Sequence, residues 1–368
     1  MTGQRGRAAT AKRPASRALV RDMSATASAR APIDLDLEAR PAFDFLVSLM
    51  LEAEPEILPD DAAWLGESLA SLSEGIRRDH RRLFATGESG MGIGWALVGA
   101  VIADPSIRTS ADVVALAGRV EVADLLLHMC ETDEMPDADE LAAALAGDHA
   151  ARAAVTGSAA APVRSALDAA LADPGGELRA LRRVLRAWRE RYVTLEPRIS
   201  AMLERDVAAR RADARALPLE DFVEKATGGV RWVADPTTRR LVMAPCYFGR
   251  PYNYFFGDRA TKVICYPVAD AAIDGDTAAL PTATVRLFKA LGDESRLRIL
   301  RLLADGDLYL TEIAERMGLS KPTVSHHMVL LRAAGLVSVT ETGGLTYYSL
   351  RRERLADASV DLQRLLGA

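Results

Sequence analysis

At 368 residues the chain has room for two domains of roughly 150 residues each, and its 49% apolar, 26% charged composition is that of an ordinary globular protein. No apolar run reaches the roughly 18–20 residues that cross a bilayer, which argues against a membrane protein. The net charge of -5 is unevenly spread: residues 1–30 carry seven Lys/Arg against the single acid Asp22, residues 281–368 sum to +2, and the middle holds -13. DNA affinity rests on neutralising phosphates, so an acidic body directs any DNA contact to the ends of the chain.

Residues 1–32 form a basic tail without periodicity, expected to be disordered. The tail is rich in Arg, Ser and Ala, superficially like a transit peptide, and Met23 offers an alternative start within it. No secretory apolar region is present. Cys130, Cys246 and Cys265 are an odd, widely spaced set without CxxC or zinc-ligand spacing, which points to buried free thiols in a reducing, cytoplasmic setting.

Residues 33–270 read as a helical domain with a small β element. Phe43, Leu46, Val47, Met50 and Leu51 recur at helical spacing, as do Trp64, Leu65, Leu69, Leu72 and Ile76. His80 stands among Arg77, Arg78, Arg81 and Arg82 and reads as part of a solvated basic face. The glycine-rich run Gly90-Met91-Gly92-Ile93-Gly94 follows no strand, so a tight helix approach or loop fits it better than a nucleotide fingerprint. Residues 113–129 suggest one long helix with Asp112 as its N-cap, after which His128, Cys130 and Glu131 suit helix-end capping or core packing. Residues 178–192 and 199–211 continue the helical pattern. Residues 230–233, 240–244 and 262–266 then cluster β-formers into a small sheet.

Between these strands, residues 245–256 are dense in aromatics, in a chain only 5% aromatic. They form either a loop packed on the helical body or the wall of an effector pocket, with Cys246, Tyr247, Phe248, Tyr252, Tyr254 and Phe255 as candidate lining. Cys246 and Cys265 could face each other across neighbouring strands, where a structural role outweighs a redox one. Residues 271–281 read as a linker to a separate domain, 282–368.

That last domain spells out an ordered series. Val285, Leu287, Phe288 and Leu291 mark a first helix, and Asp293 caps a second with Leu297, Leu300 and Leu303 on its apolar face. Thr311 is the candidate cap of a short third helix, which Gly318 closes in the left-handed conformation that a Cβ disfavours. Ser320 then caps a fourth helix, with Pro322 tolerated in its first turn. Val324, Met328 and Leu331 fall at i, i+4 and i+7 and face the core. The other side is left with Lys321, Thr323, Ser325 and His326, the donors and cation that a groove-reading face needs. Alternating segments flank Gly343-Gly344 and make a hairpin, the wing.

The strings LFKALGDESRLRILRLL and LSKPTVSHHMVLLRAAGLV, with the tyrosines of LTYYSL, resemble the ArsR family of winged helix-turn-helix repressors. The resemblance implies a homodimer joined through the first and last helices of this domain and a pseudo-palindromic double-stranded operator. DNA contacts would come from Ser320, Lys321, Thr323, Ser325, His326, His327 and Arg332, and from a wing tip at Thr342, Gly343 and Gly344. Two family features are missing. The helix preceding the recognition helix has no thiol at residues 307–311, and the last helix keeps Glu353, Asp357 and Asp361 but has no His. Metal sensing is therefore not expected, no cofactor is implied, and the wing tip lacks the Arg or Lys often found there. The expectation is a mainly α (α+β) cytoplasmic regulator of bacterial type, nucleoid-associated when bound to DNA, with a small-molecule effector acting on the N-terminal domain. The alternatives are an N-terminal enzyme with a regulatory winged helix, for which no catalytic set is visible, and a protein-interaction scaffold.

Overall fold

Apolar side chains at helical spacing dominate residues 41–227, and β-branched and aromatic clusters follow, so a helical bundle closed by a sheet is what the chain must build. A computed structural model describes residues 32–51, 59–84, 92–129, 138–158, 161–234, 236–257, 260–273, 282–342 and 345–366. The basic tail up to residue 31, Cys130, Glu131, most of the linker, and Gly343 and Gly344 of the wing tip lie outside these residues.

Strand β1 (Asp34–Leu37) comes first. Helices α1 (Pro41–Met50), α2 (Pro59–Ser71), α3 (Glu74–Leu83), α4 (Ala96–Ala103), α5 (Ser110–Arg119) and α6 (Val122–Met129) follow. Next are α7 (Ala138–Leu145), α8 (His149–Ser158), α9 (Ala161–Ala172), α10 (Pro174–Tyr192), α11 (Glu196–Ala216) and α12 (Leu219–Thr227). Strands β2 (Arg240–Cys246), β3 (Tyr254–Gly257) and β4 (Thr261–Pro267) complete the N-terminal part. The C-terminal part contains α13 (Thr282–Leu291), α14 (Glu294–Ala304), β5 (Leu308–Tyr309), α15 (Leu310–Met317) and α16 (Lys321–Ala333). It ends with β6 (Val337–Thr342), β7 (Leu345–Leu350) and α17 (Arg352–Leu366). The fold is mainly α with two small sheets.

The N-terminal sheet has the order β1-β2-β4-β3, with β1, β2 and β4 parallel and β3 antiparallel at the edge. Parallel strands need cover on both faces, and the sequence supplies it. Val242, Ala244, Cys246, Val263 and Cys265 face the helical bundle, whose core includes Phe43, Phe45, Leu46, Trp188 and Tyr192. Leu241, Met243, Ile264 and Tyr266 face the other way and are covered by Phe222, Val223 and Ala226 of α12. Cys246 and Cys265 do sit on adjacent strands, both buried and both reduced.

Three sequence expectations need correction. Residues 113–129 are two helices, broken at Val120; Thr109 caps the first, and Asp112 completes a capping box by accepting from the Thr109 backbone N–H at 2.9 Å. His80 is buried, stacked on Trp188 with ring centroids 5.2 Å apart, because its helix turns His80 and Leu83 inward while Arg78, Arg81 and Arg82 stay exposed. Residues 230–233 do not join the N-terminal sheet. Val230 instead makes a single parallel bridge to Val339 in the wing. Gly90 and Met91 of the glycine run lie outside the described residues, and its other two glycines make tight approaches: a Cβ on Gly92 would lie 2.1 Å from the Leu83 carbonyl oxygen, and one on Gly94 would lie 2.4 Å from the Phe84 ring.

Candidate nucleic-acid interface

The C-terminal core forms where the second to fourth helices of the domain converge. Gly318, at φ 66°, ends α15 in the left-handed conformation and lets the chain turn into α16. Ser320 caps α16, accepting from the Thr323 backbone N–H at 3.3 Å, while its Oγ lies 2.8 Å from Thr323 Oγ1. Pro322 occupies the first turn, where its missing N–H costs nothing. Val324, Met328 and Leu331 are fully buried against Leu287, Ile299, Leu300, Leu303 and Ile313. Burying that stripe turns Lys321, Thr323, Ser325 and His326 outward, and all four are exposed.

His327 is half-buried on the packing side, near Asp293 and Arg296. Burial lowers its pKa, and the Asp293 carboxylate opposes that shift in part. Arg332, in the last turn of α16, is also half-buried and faces the N-terminal domain, away from the Lys321–His326 patch. The wing pairs antiparallel with β7 throughout, from Val337↔Leu350 to Thr342↔Leu345. Two local readings change. Tyr309, not Thr311, is the N-cap of α15, and its N–H donates to Glu312 Oε2 at 3.4 Å. Leu297 is 48% exposed, with Ile299 taking its expected place in the core.

Behind this face the two parts of the chain are joined. Val339 in β6 donates its N–H to the Gly229 carbonyl, and the Arg231 N–H donates to the Val339 carbonyl, both at 3.3 Å. Arg351 crosses the join, donating to Gly228 O at 2.6 Å and Gly335 O at 3.1 Å. Gly229 has φ 122°, and a Cβ there would meet Arg351 Cδ at 2.6 Å, so the close approach requires glycine. The wing's outer edge is thus paired with a segment of the N-terminal domain, a short form of strand addition. The one sequence signal for this contact is the β-former composition at 230–233, which has no hairpin partner nearby.

The aromatic segment does not make one pocket. Cys246 and Phe248 are buried in the bundle, where Asp44 Oδ1 accepts from Cys246 Sγ at 3.0 Å and from the Phe248 N–H at 2.9 Å. Tyr247 packs edge-on against Phe248 and donates its own N–H to Asp44. Tyr254 stacks with Phe256 on the bundle side of β3, Tyr252 is half-buried in the preceding turn, and Phe255 points to the opposite face, 50% exposed.

A capped recognition helix behind a left-handed turn, packed on a three-helix core and flanked by a β-wing, defines a winged helix-turn-helix domain. A family model described as "Bacterial regulatory protein, arsR family" matches residues 293–339, which run from the cap of α14 into β6. The chain is 42% identical over 72 residues to the transcriptional repressor SdpR of Bacillus subtilis, covering 20% of this chain and 80% of that protein. It is 39% identical over 87 residues to the HTH-type transcriptional regulator CmtR of Mycobacterium tuberculosis, covering 24% and 74% respectively. A probable mercury resistance operon repressor of Streptomyces lividans is 39% identical over 88 residues, covering 24% of this chain and 70% of its own length. The chain belongs to the ArsR family and is a DNA-binding regulator of that kind. Its long N-terminal domain lies outside these matches.

Proposed function

We propose that the protein is a transcriptional repressor that reads a pseudo-palindromic operator as a homodimer, with its N-terminal domain responding to a small molecule that is not a metal ion. The observation that carries this reading is the exposed polar patch of Lys321, Thr323, Ser325 and His326 at the N-terminal end of α16, opposite a fully buried apolar stripe. Lys321 positions the helix on phosphate, and the free N–H groups of the first turn add to that contact. Thr323, Ser325 and His326 reach base edges. Ser320 and His327 serve the cap and the packing side, and the wing tip at Thr342 follows the DNA backbone. Repression is the mode named for SdpR and for the Streptomyces lividans relative.

Dimerisation is supported by the apolar side chains left uncovered on the first and last helices. Phe288 on α13 is 38% exposed, and Val360 and Leu362 on α17 are 42% and 38% exposed. A two-fold interface between copies would bury them and place two recognition helices about one turn of DNA apart. No part of the described chain covers the reading face, which favours DNA over a scaffold role.

Operator binding by Ala variants at 321, 325 and 326 tests the assignment. Lys321→Ala should weaken binding on all sequences alike and reduce the salt slope by about 1. Ser325→Ala and His326→Ala should each cost roughly 1–3 kcal/mol and relax the base preference. Operator affinity unchanged in all three variants would remove this patch from the interface.

A further inference from the structure

The join between the two domains leaves a cleft of about 560 Å³ on the far side of Val230. Its floor comes from the N-terminal sheet. Helix α12 covers Leu241, Met243, Ile264 and Tyr266 but does not reach edge strand β3, so the Phe255 ring stays half-exposed. Trp232 adds aromatic surface from the same domain, and Tyr348 closes the cleft from the wing. Lys262 on β4, Arg231, and Arg332 at the end of the recognition helix supply three cations, and no carboxylate is among the described residues that line it.

Two of those cations have no neutralising partner among the described residues. Arg231 lies 3.7 Å from Glu224, but Lys262 and Arg332 make no ion pair and no side-chain hydrogen bond among the described residues, although both are half-buried. Partial burial of unpaired cations beside aromatic rings costs solvation that an anion would restore. The volume falls within the roughly 300–1,000 Å³ typical of small-molecule sites.

We infer that this cleft binds a small amphipathic anion, a planar or acyl apolar body bearing one carboxylate, sulfonate or phosphate. The apolar body rests on Phe255 and Trp232, and the anionic group lies between Lys262 and Arg332. The inference adopts the regulatory reading above for its consequence: one molecule would tie the recognition helix, the wing and the N-terminal sheet together. Its differential affinity for the joined arrangement is what would bias DNA binding. The effector site thus moves from the interior of the aromatic segment to its one exposed ring, Phe255.

The test uses the full-length protein with two fluorescent probes, anionic anilinonaphthalene sulfonate and neutral phenylnaphthylamine, titrated without DNA. The sulfonate should bind one molecule per chain. Lys262→Ala and Arg332→Ala should each weaken it about ten-fold, Lys262→Arg should restore it, and neither Ala variant should change the neutral probe. Phe255→Ala should weaken both probes. Sulfonate affinity indifferent to all of these changes, or cation variants that weaken both probes equally, would overturn the inference. So would a lower operator salt slope in Lys262→Ala without probe, which would make the cleft a phosphate contact. Because the titration contains no DNA, its failure leaves the operator assignment standing. Loss of the operator assignment through the 321, 325 and 326 variants would in turn leave the titration intact.

Discussion

Replacing Asp44 by alanine is expected to destabilise the N-terminal domain by about 3–5 kcal/mol. Asp44 is fully buried on α1, and its two oxygens are the meeting point of four donors. Oδ1 accepts from Cys246 Sγ and from the Tyr247 and Phe248 N–H groups, and Oδ2 accepts from the Tyr192 hydroxyl at 3.0 Å. The carboxylate therefore ties α1 to α10 and to the turn after β2, elements that lie 148 to 204 residues away in sequence. Burial raises its pKa, and the four hydrogen bonds act against that shift. Burial and the neighbouring carboxylate in turn push the Cys246 thiol and the Tyr192 phenol well up, so both remain protonated donors at working pH. Alanine would take the shared acceptor from Cys246, Tyr247 and Phe248, leave the Tyr192 hydroxyl only the Pro41 carbonyl at 3.3 Å, and open a cavity beside them. Urea unfolding at neutral pH measures the loss. A change below about 1 kcal/mol would show that the cluster does not hold the helices to the sheet.

The second large effect is on pH dependence. Burial against Trp188 pushes the His80 pKa from 6.5 down to about 4, with the Leu49 backbone opposing the shift and Arg81 adding to it. The unfolded chain takes up a proton at this site as pH falls through 6.5, and the folded chain does not until about 4. Stability from this group is therefore present above pH 6.5 and is lost on acidification, about 2 kcal/mol by pH 5 and about 3 kcal/mol in all. His80→Phe keeps a ring on Trp188 and should flatten that part of the stability profile between pH 7 and 5. A slope that persists in the variant would assign it to other groups.

The two domains differ in how much of them can be read from sequence. In the C-terminal domain every decisive feature is local. Asp293, Gly318, Ser320 and Pro322 act within four residues of their targets, and the Val324–Met328–Leu331 spacing alone separates the packing side from the reading side. The N-terminal helices were also legible from periodicity, as were the central strands β2 and β4, but the edge strand β1 was not. Strand β1 is four residues, DLDL, and pairs with β2 across more than 200 residues, without a turn to announce it. His80 looked solvated because its neighbours are arginines, and nothing local shows that Trp188 comes to meet it. Arg332 and Gly229 were similarly unreadable, since their surroundings exist only once the wing docks on the N-terminal domain. Asp44 did leave one trace: with Ser48 it is the only polar residue in an otherwise apolar helix, where a charge needs a buried partner.

These observations place a family-typical reading head on a domain outside the family matches, joined through the wing edge and the cleft beside it. If that arrangement works as proposed, an effector acts through the join, and the reading face stays free for DNA. Hydroxyl-radical footprinting of the full-length protein on the DNA upstream of its own gene tests this most directly. The expected result is two protected blocks related by a pseudo-two-fold axis and about one helical turn, roughly 10–10.5 base pairs, apart, both weakened in His326→Ala and lost when Lys321 and His326 are replaced together. No protection by the folded protein, or protection that survives loss of both Lys321 and His326, would contradict it.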